Sequence, residues 1–273
     1  GMENRGHPYQ GAVPGRTAGA KGLDVPILAE IGTAEYLYWV GCAAAFDERA
    51  QKIARAFAML LKAAKIPFAI LGDEERCTGD VARRIGNEFL FQVHAQANTE
   101  TLNRYGVRKI LTTCPHCFNT LKHEYPAFGG RYDVIHHTEF LARLLGQGQL
   151  RLTKPLEEAV AYHDSCYLGR HNAMCEAPRA ILRRIPGVRV MEFERHGVAG
   201  FCCGAGGGMM WAEERTGKRV NIERTEEALR VGPDVVGTAC PFCLRMFEDG
   251  IRAKDAAETL RVSDLAELVV RAL

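Results

Sequence analysis

The sequence predicts an α/β protein made of two tandem, duplicated units, each with a mostly parallel sheet. Three observations lead there. Cys42 and Cys166 lie 124 residues apart, Cys77 and Cys202 125, and both Cys114–Cys240 and Cys117–Cys243 126. The flanking text repeats too: Leu111-Thr-Thr-Cys-Pro-His-Cys-Phe118 answers Gly237-Thr-Ala-Cys-Pro-Phe-Cys-Leu244. Offsets held within two residues of each other mark an internal duplication. In both halves β-rich runs alternate with helix-period segments, the pattern of strand–helix–strand units over a parallel sheet. The expected organisation is an arm or linker over residues 1–33, a first unit over 34–155 and a second over 156–273, both Rossmann-like.

In the first half, Tyr36-Leu-Tyr-Trp-Val40 reads as a strand ending at Gly41-Cys42. A helix is expected from Asp47, its N-cap, with Ile53, Ala56, Phe57, Leu60 and Leu61 on one face. Pro67 precedes a short strand, Phe68-Ala-Ile-Leu71, and Gly72 turns the chain toward Cys77. A second helix is expected from Asp80 to Arg104. Strand Lys109–Thr113 leads into Cys114, and a strand at Tyr132–Ile135 with the helix after Thr138 completes the unit. The second half repeats the order. Ala159–Tyr162 leads to Cys166, Arg189–Phe193 to Cys202-Cys203, and Val235–Thr238 to Cys240. Val270 falls in a last helix whose N-cap is expected at Ser263.

Composition narrows the chemistry. The chain has 273 residues, 47% of them hydrophobic and 25% charged, enough to bury a core and unlike a disordered chain. A net charge of +2 and the absence of interleaved basic and aromatic residues exclude a nucleic-acid partner from the expectations. The longest apolar run, Ala56 to Leu71, is broken by Lys62, Lys65 and Pro67, short of the roughly 18 residues of a membrane span. The polar, glycine-rich start does not read as a signal peptide. Ten cysteines in such a chain point to metal or thiol chemistry in a reducing compartment, hence the cytoplasm.

Every repeated cysteine is expected beyond the carboxyl end of a strand, on the one sheet edge where ligands collect at the reversal of strand order. Cys114-x-x-Cys117 and Cys240-x-x-Cys243 each add two thiols from a turn entering a helix, whose N-terminus favours the thiolate. One cluster per half follows: Cys42, Cys77, Cys114 and Cys117 in the first, and Cys166, Cys202, Cys203, Cys240 and Cys243 in the second. Four thiolates suit tetrahedral zinc or a [4Fe–4S] cluster equally. The fifth in the second half exceeds either need, and the first half has Thr78 where the second has Cys203. Neighbouring cysteines in a strand point to opposite faces, so Cys202 and Cys203 require an irregular turn, which Gly204, Gly206, Gly207 and Gly208 permit. Cys175 has no counterpart in the first half and is expected to be a bystander. The glycine run lacks the dinucleotide and P-loop patterns, and is expected to bring backbone N–H groups toward sulfur. His163 and His116 are candidates for hydrogen bonds to sulfur, and Arg170 for balancing charge. Asp164 reads as a turn residue.

These residues resemble the family named for its Cys-Cys-Gly motif. It includes the B and D subunits of heterodisulfide reductase, the iron–sulfur subunit of glycolate oxidase and iron–sulfur proteins that accompany acyl-CoA dehydrogenases and electron-transfer flavoprotein. The second copy of the motif is complete: Cys166, Cys202-Cys203-Gly204 and Cys240-Pro-Phe-Cys243. The first, Cys42, Cys77-Thr78-Gly79 and Cys114-Pro-His-Cys117, is one cysteine short. Tyr38-Trp39-Val40-Gly41-Cys42 and Tyr162-His-Asp-Ser-Cys166-Tyr-Leu-Gly-Arg170-His171-Asn172 are most similar to the membrane-associated iron–sulfur branch. The resemblance implies iron–sulfur clusters and electron transfer between a flavoprotein dehydrogenase or electron-transfer flavoprotein and a quinone-linked or disulfide acceptor. It implies a [4Fe–4S] cluster, with a non-cubane form open to the second unit, and a cubane [4Fe–4S] cluster or zinc in the first. It also implies a ferredoxin-type module, upstream or on another subunit, and a place at the inner face of a membrane reached through an N-terminal region beyond this chain. The competing expectation is a zinc-stabilised structural or docking module without redox activity.

Overall fold

Each half of the chain carries a four-stranded, all-parallel sheet, with strand orders β2-β1-β3-β4 and β6-β5-β7-β8. In the computed structural model the strands are β1 (Tyr36–Trp39), β2 (Phe68–Ala69), β3 (Lys109–Thr112), β4 (Asp133–His136), β5 (Ala159–Tyr162), β6 (Arg189–Glu192), β7 (Val235–Thr238) and β8 (Arg261–Asp264). The structure describes residues 2–9, 15–212 and 216–273. It divides into two compact units, Gly1–His137 and Thr138–Leu273. Among the described residues no helix is long and apolar enough to cross a membrane.

The first unit opens with two short helices, α1 (Met2–Arg5) and α2 (Leu28–Ile31). The arm joins the sheet where Ile27 forms a parallel bridge with Ile70. After β1 come α3 (Gly41–Phe46) and α4 (Glu48–Ala63). Asp47 caps α4 as expected, its carboxylate accepting from Arg49 and Ala50 N–H, and Ile53, Phe57, Leu60 and Leu61 are fully buried. The helix expected over Asp80–Arg104 is two, α5 (Asp80–Arg84) and α6 (Glu88–Arg104). Gly86 breaks it with φ +89°, and Asn87 restarts it by accepting from Leu90 N–H. The glycine takes a left-handed conformation that ends a helix at little cost. After β3, α7 (Pro115–Asn119) is followed by a π-helical turn over Thr120–Glu124.

The helix α8 (His137–Gly146) leads into the second unit, where α9 (Cys166–Asn172), α10 (Glu176–Leu182), α11 (Val220–Val231), α12 (Pro241–Ala253) and α13 (Leu265–Ala272) flank the sheet. Strands β5 and β7 are buried throughout, as parallel strands covered on both faces are. Phe193, Ala161, Val236, Phe247 and Ile251 form the core on one side. The last helix is capped by Asp264 rather than Ser263: Asp264 accepts from Ala266 N–H, and Glu267 reaches back to Asp264 N–H. Ser263 instead lies in β8, a strand too short and polar to stand out in the sequence.

Candidate metal-thiolate sites

In both sheets the strand order reverses between the first and third strands of the repeat, so the crevice at their carboxyl ends is the natural ligand position. In the first unit Cys42 follows β1, and Cys114 follows β3 as the N-cap of α7, with Pro115 at the first helical position. In the second unit Cys166 follows β5, and Cys240 follows β7 as the N-cap of α12, again before a proline. Cys77 and Cys202 come less directly, at the ends of loops eight and ten residues beyond Ala69 and Glu192.

Four sulfurs meet in the first unit. Cys42 Sγ and Cys77 Sγ lie 3.8 Å apart. Their hydrogen bond pushes the Cys42 thiol up and draws the Cys77 thiol down, the latter helped by Gly79 N–H. Hydrogen bonding to Cys114, then burial, pushes the Cys117 thiol up, and Cys42 and Cys77 add to it. A Cβ on Gly41 would stand 3.3 Å from Cys117 Sγ, so the elbow after β1 passes directly over the pair from α7. All four cysteines are buried.

Five sulfurs form a continuous hydrogen-bonded series in the second unit: Cys166 to Cys202, Cys202 to Cys203, Cys203 to Cys243, and Cys243 to Cys240. Cys202 accepts from Cys166, Cys203 and, at 3.3 Å, from Gly204 N–H, which holds its thiol well below the ordinary range. Cys166, Cys203 and Cys243 are pushed up in compensation. Cys203, Cys240 and Cys243 are buried, whereas Cys166 and Cys202 are partly exposed. Cys175 stands apart, its sulfur beside Gly169 and its carbonyl accepting from Arg179.

The glycine after each second cysteine has a backbone reason. Gly79 and Gly204 have φ +87° and +86°. A Cβ at Gly79 would meet Phe91 Cδ2 at 2.9 Å and its Cα at 3.2 Å, and one at Gly204 would meet Val220 Cβ at 3.0 Å. The left-handed turn aims the glycine N–H at the sulfur two residues earlier in both repeats, Cys77 and Cys202. Gly79→Ala is therefore expected to cost roughly 2 kcal/mol, from strain at positive φ and overpacking together. A denaturation midpoint equal to that of the parent would show that the turn relaxes freely.

Charged side chains hold the loops that carry the cysteines. In the first unit Glu75 accepts from Val40 N–H and Gly41 N–H at 2.9 Å and from Arg16 at 2.6 Å, fastening the arm and the Cys77 loop to the elbow before Cys42. Gly6 carbonyl accepts from Cys77 N–H. In the second unit Asp164 takes two 2.9 Å hydrogen bonds from Arg179 and one of 2.7 Å from Gly197 N–H. Burial alone would raise its carboxyl, but Arg179 and Gly197 outweigh it and leave it low. Asp164 is thus a latch between the Cys166 elbow and the loop leading to Cys202. Arg170 acts on the same loop, donating to Gly200 carbonyl.

The histidines differ. His116 Nδ1 pairs with Asp80 at 2.8 Å, and His136 and His137 pack against Phe118 and Phe57 inside the first unit. His163 is buried, with a ring nitrogen and the sulfurs of Cys203 and Cys243 all within 4.8 Å of one another. Burial first, then Arg224, pushes its imidazole down to about 3. Glu75, Arg16 and Arg224 carry no spacing signal in the sequence. Only the Asp164 position, two before a repeated cysteine, could have suggested a latch.

The family model described as the cysteine-rich domain, CCG, matches the chain twice, over residues 36–122 and 160–248. The chain is 50% identical over 239 residues to the Bacillus subtilis protein named "Probable iron-sulfur-binding oxidoreductase FadF", covering 88% of this chain and 34% of that one. It is 46% identical to "EtfAB:quinone oxidoreductase" of Syntrophomonas wolfei, over 88% of this chain and 34% of that protein. It is 36% identical to a component of the dihydromethanophenazine:CoB–CoM heterodisulfide reductase of Methanosarcina barkeri, over 88% of this chain and 59% of that component. The chain thus spans about a third of the length of the first two.

Proposed function

Because the chain belongs to the cysteine-rich CCG domain family, whose relatives are named oxidoreductases or components of them, one of them iron-sulfur-binding, we propose that it is the iron–sulfur electron-transfer part of an oxidoreductase. In this reading Cys42, Cys77, Cys114 and Cys117 hold one centre, and Cys166, Cys202, Cys203, Cys240 and Cys243 hold a second. The observation that carries it is the convergence of nine sulfurs into two groups, each at the carboxyl edge of its own sheet. Such donor sets must shed protons to bind metal, and hydrogen bonds from neighbouring thiols draw the Cys77 and Cys202 thiols down. A bound iron–sulfur cluster supplies one-electron transfer at a potential set by its ligands, burial and hydrogen bonds.

The two sites differ in access. All four thiols of the first are buried, which suits a relay. The second opens at Cys166 and Cys202, and Val198, Met209 and Trp211 are exposed on the loop segments that flank Cys202-Cys203. That side is where an acceptor would approach. Electron-transfer flavoprotein is the proposed donor and a quinone-linked or disulfide acceptor the proposed destination, on the names of the relatives. A ferredoxin-type module would join them, and ten cysteines that form no disulfide suit a cytoplasmic setting, at the inner face of a membrane.

Four thiolates also suit zinc, so the first site keeps that second reading. Anaerobic purification followed by metal and acid-labile sulfide analysis separates the two. The expected result is iron and sulfide in equal amounts, with a signal on reduction in electron paramagnetic resonance. Zinc in both units with no sulfide would sink the redox reading.

A further inference from the structure

His163 stands where neither its burial nor its partners are explained by packing. It is 1% exposed, its ring edge-on to Phe247 at 5.1 Å between centroids. Its Nδ1 faces Arg224 Nε at 3.2 Å. Arg224 is fully buried and pairs with Glu227 Oε2 at 2.8 Å. A guanidinium has donors only, so His163 Nδ1 must be the acceptor and carry no proton. In a neutral imidazole the proton then sits on Nε2. That nitrogen is buried and has no hydrogen-bond partner among the described residues. A buried N–H with no acceptor costs roughly 1–3 kcal/mol, and such groups call for a specific explanation.

From this geometry we infer that His163 Nε2–H is reserved as a hydrogen-bond donor to sulfur at the second cysteine site, on the side of Cys203 and Cys243. Resting on the iron–sulfur reading above, the inference assigns His163 a role distinct from ligation. Three atoms within 4.8 Å make the His163–Cys203–Cys243 group look like a metal triad. A ligating Nε2 would need its lone pair, and Arg224 holds the proton there by occupying Nδ1. Metal-ligating histidines are oriented by an acceptor on their other nitrogen, and here that nitrogen meets a donor. The repeat offers a parallel: Trp39, 124 residues earlier, is likewise buried, and its indole N–H has no partner among the described residues.

A donor to sulfur stabilises the more negative, reduced state of a centre and raises its potential. His163→Leu is expected to shift the reduction equilibrium of the second unit's centre about tenfold toward the oxidised state, or about 59 mV more negative for a one-electron couple. His163→Gln keeps an N–H at comparable reach and is expected to restore most of that shift. The measurement is a redox titration followed by electron paramagnetic resonance on anaerobically purified protein. The second unit's signal is identified by its loss in Cys240→Ser.

Equal potentials in the parent and His163→Leu, at equal iron content, would overturn the inference. So would an equal shift in the leucine and glutamine variants, because a packing role would not separate them. If leucine abolishes iron binding and glutamine preserves it, the donor is required and the inference stands. If both abolish it, His163 is a ligand or a structural element and the inference falls. A parent without iron and sulfide sinks the iron–sulfur reading itself and is told apart at the first step.

Discussion

Replacing Glu75 by glutamine is expected to destabilise the first unit by about 3 kcal/mol, the scale of breaking a buried ion pair from one side. The carboxylate is 2% exposed and takes three donors: Val40 N–H, Gly41 N–H and Arg16. Burial pushes its pKa up, opposed first by Arg16 and then by the two backbone donors. A glutamine offers one acceptor oxygen in place of two. Its own N–H groups would then point at donors, and Arg16, also largely buried, would lose its countercharge. The effect reaches the site because the residues held are the elbow itself. Gly41 sits at φ +78° with Cys117 Sγ against it, and Cys42 follows directly. The denaturation midpoint should fall, and metal loaded onto the proposed first site should be lost at lower chelator concentration than in the parent. A change below about 0.5 kcal/mol, the usual size for an unremarkable surface position, would show that Glu75 does not clamp the elbow.

That clamp marks the boundary of what the sequence disclosed. The duplication, the parallel sheets and the gathering of nine cysteines were legible because each rests on a short-range rule: apolar runs of strand length, a cap at Asp47, and cysteines at a repeated offset. The switch-point geometry then follows from the α/β architecture. Glu75–Arg16, Asp164–Arg179, Arg224–His163 and Glu227–Arg195 act between segments that are apart in sequence. A charged residue carries no periodic signal of whether it is solvated or buried against a partner. The same limit explains the helix break at Gly86, where an isolated glycine could equally sit mid-helix, and Asp264, where two neighbouring residues could each cap and only the chain path decides. Cys202 and Cys203 were the exception. The need for both to face one site predicted an irregular, glycine-permitted turn, and the backbone at Gly204 has that form.

Glu227→Gln is expected to have the largest effect in the second unit, about 3–4 kcal/mol, because it strips the countercharge from a guanidinium with no exposure at all. Glu227 is itself 1% exposed and accepts from Arg195 N–H, Arg195 Nε and Arg224 Nη1 at 2.8 to 2.9 Å. The Arg224 guanidinium also lies over the Phe193 ring, 3.9 Å from its centroid, a cation–π contact that cannot replace a carboxylate. Arg195 is partly exposed and can turn to water, whereas Arg224 cannot. The cost should therefore appear as coupling between Arg224 and Glu227. Arg224→Met keeps the stem and removes the charge, and the double variant should lose less than the sum of the two single changes by about 1 kcal/mol or more, within the roughly 0.5–3 kcal/mol seen for residues sharing one network. Additivity in that cycle would mean that Glu227 serves Arg195 alone. Coupling would tie the stability of the second unit's core to the residue that fixes the His163 proton. The same buried charge would then support the fold and set which nitrogen of His163 carries the proton.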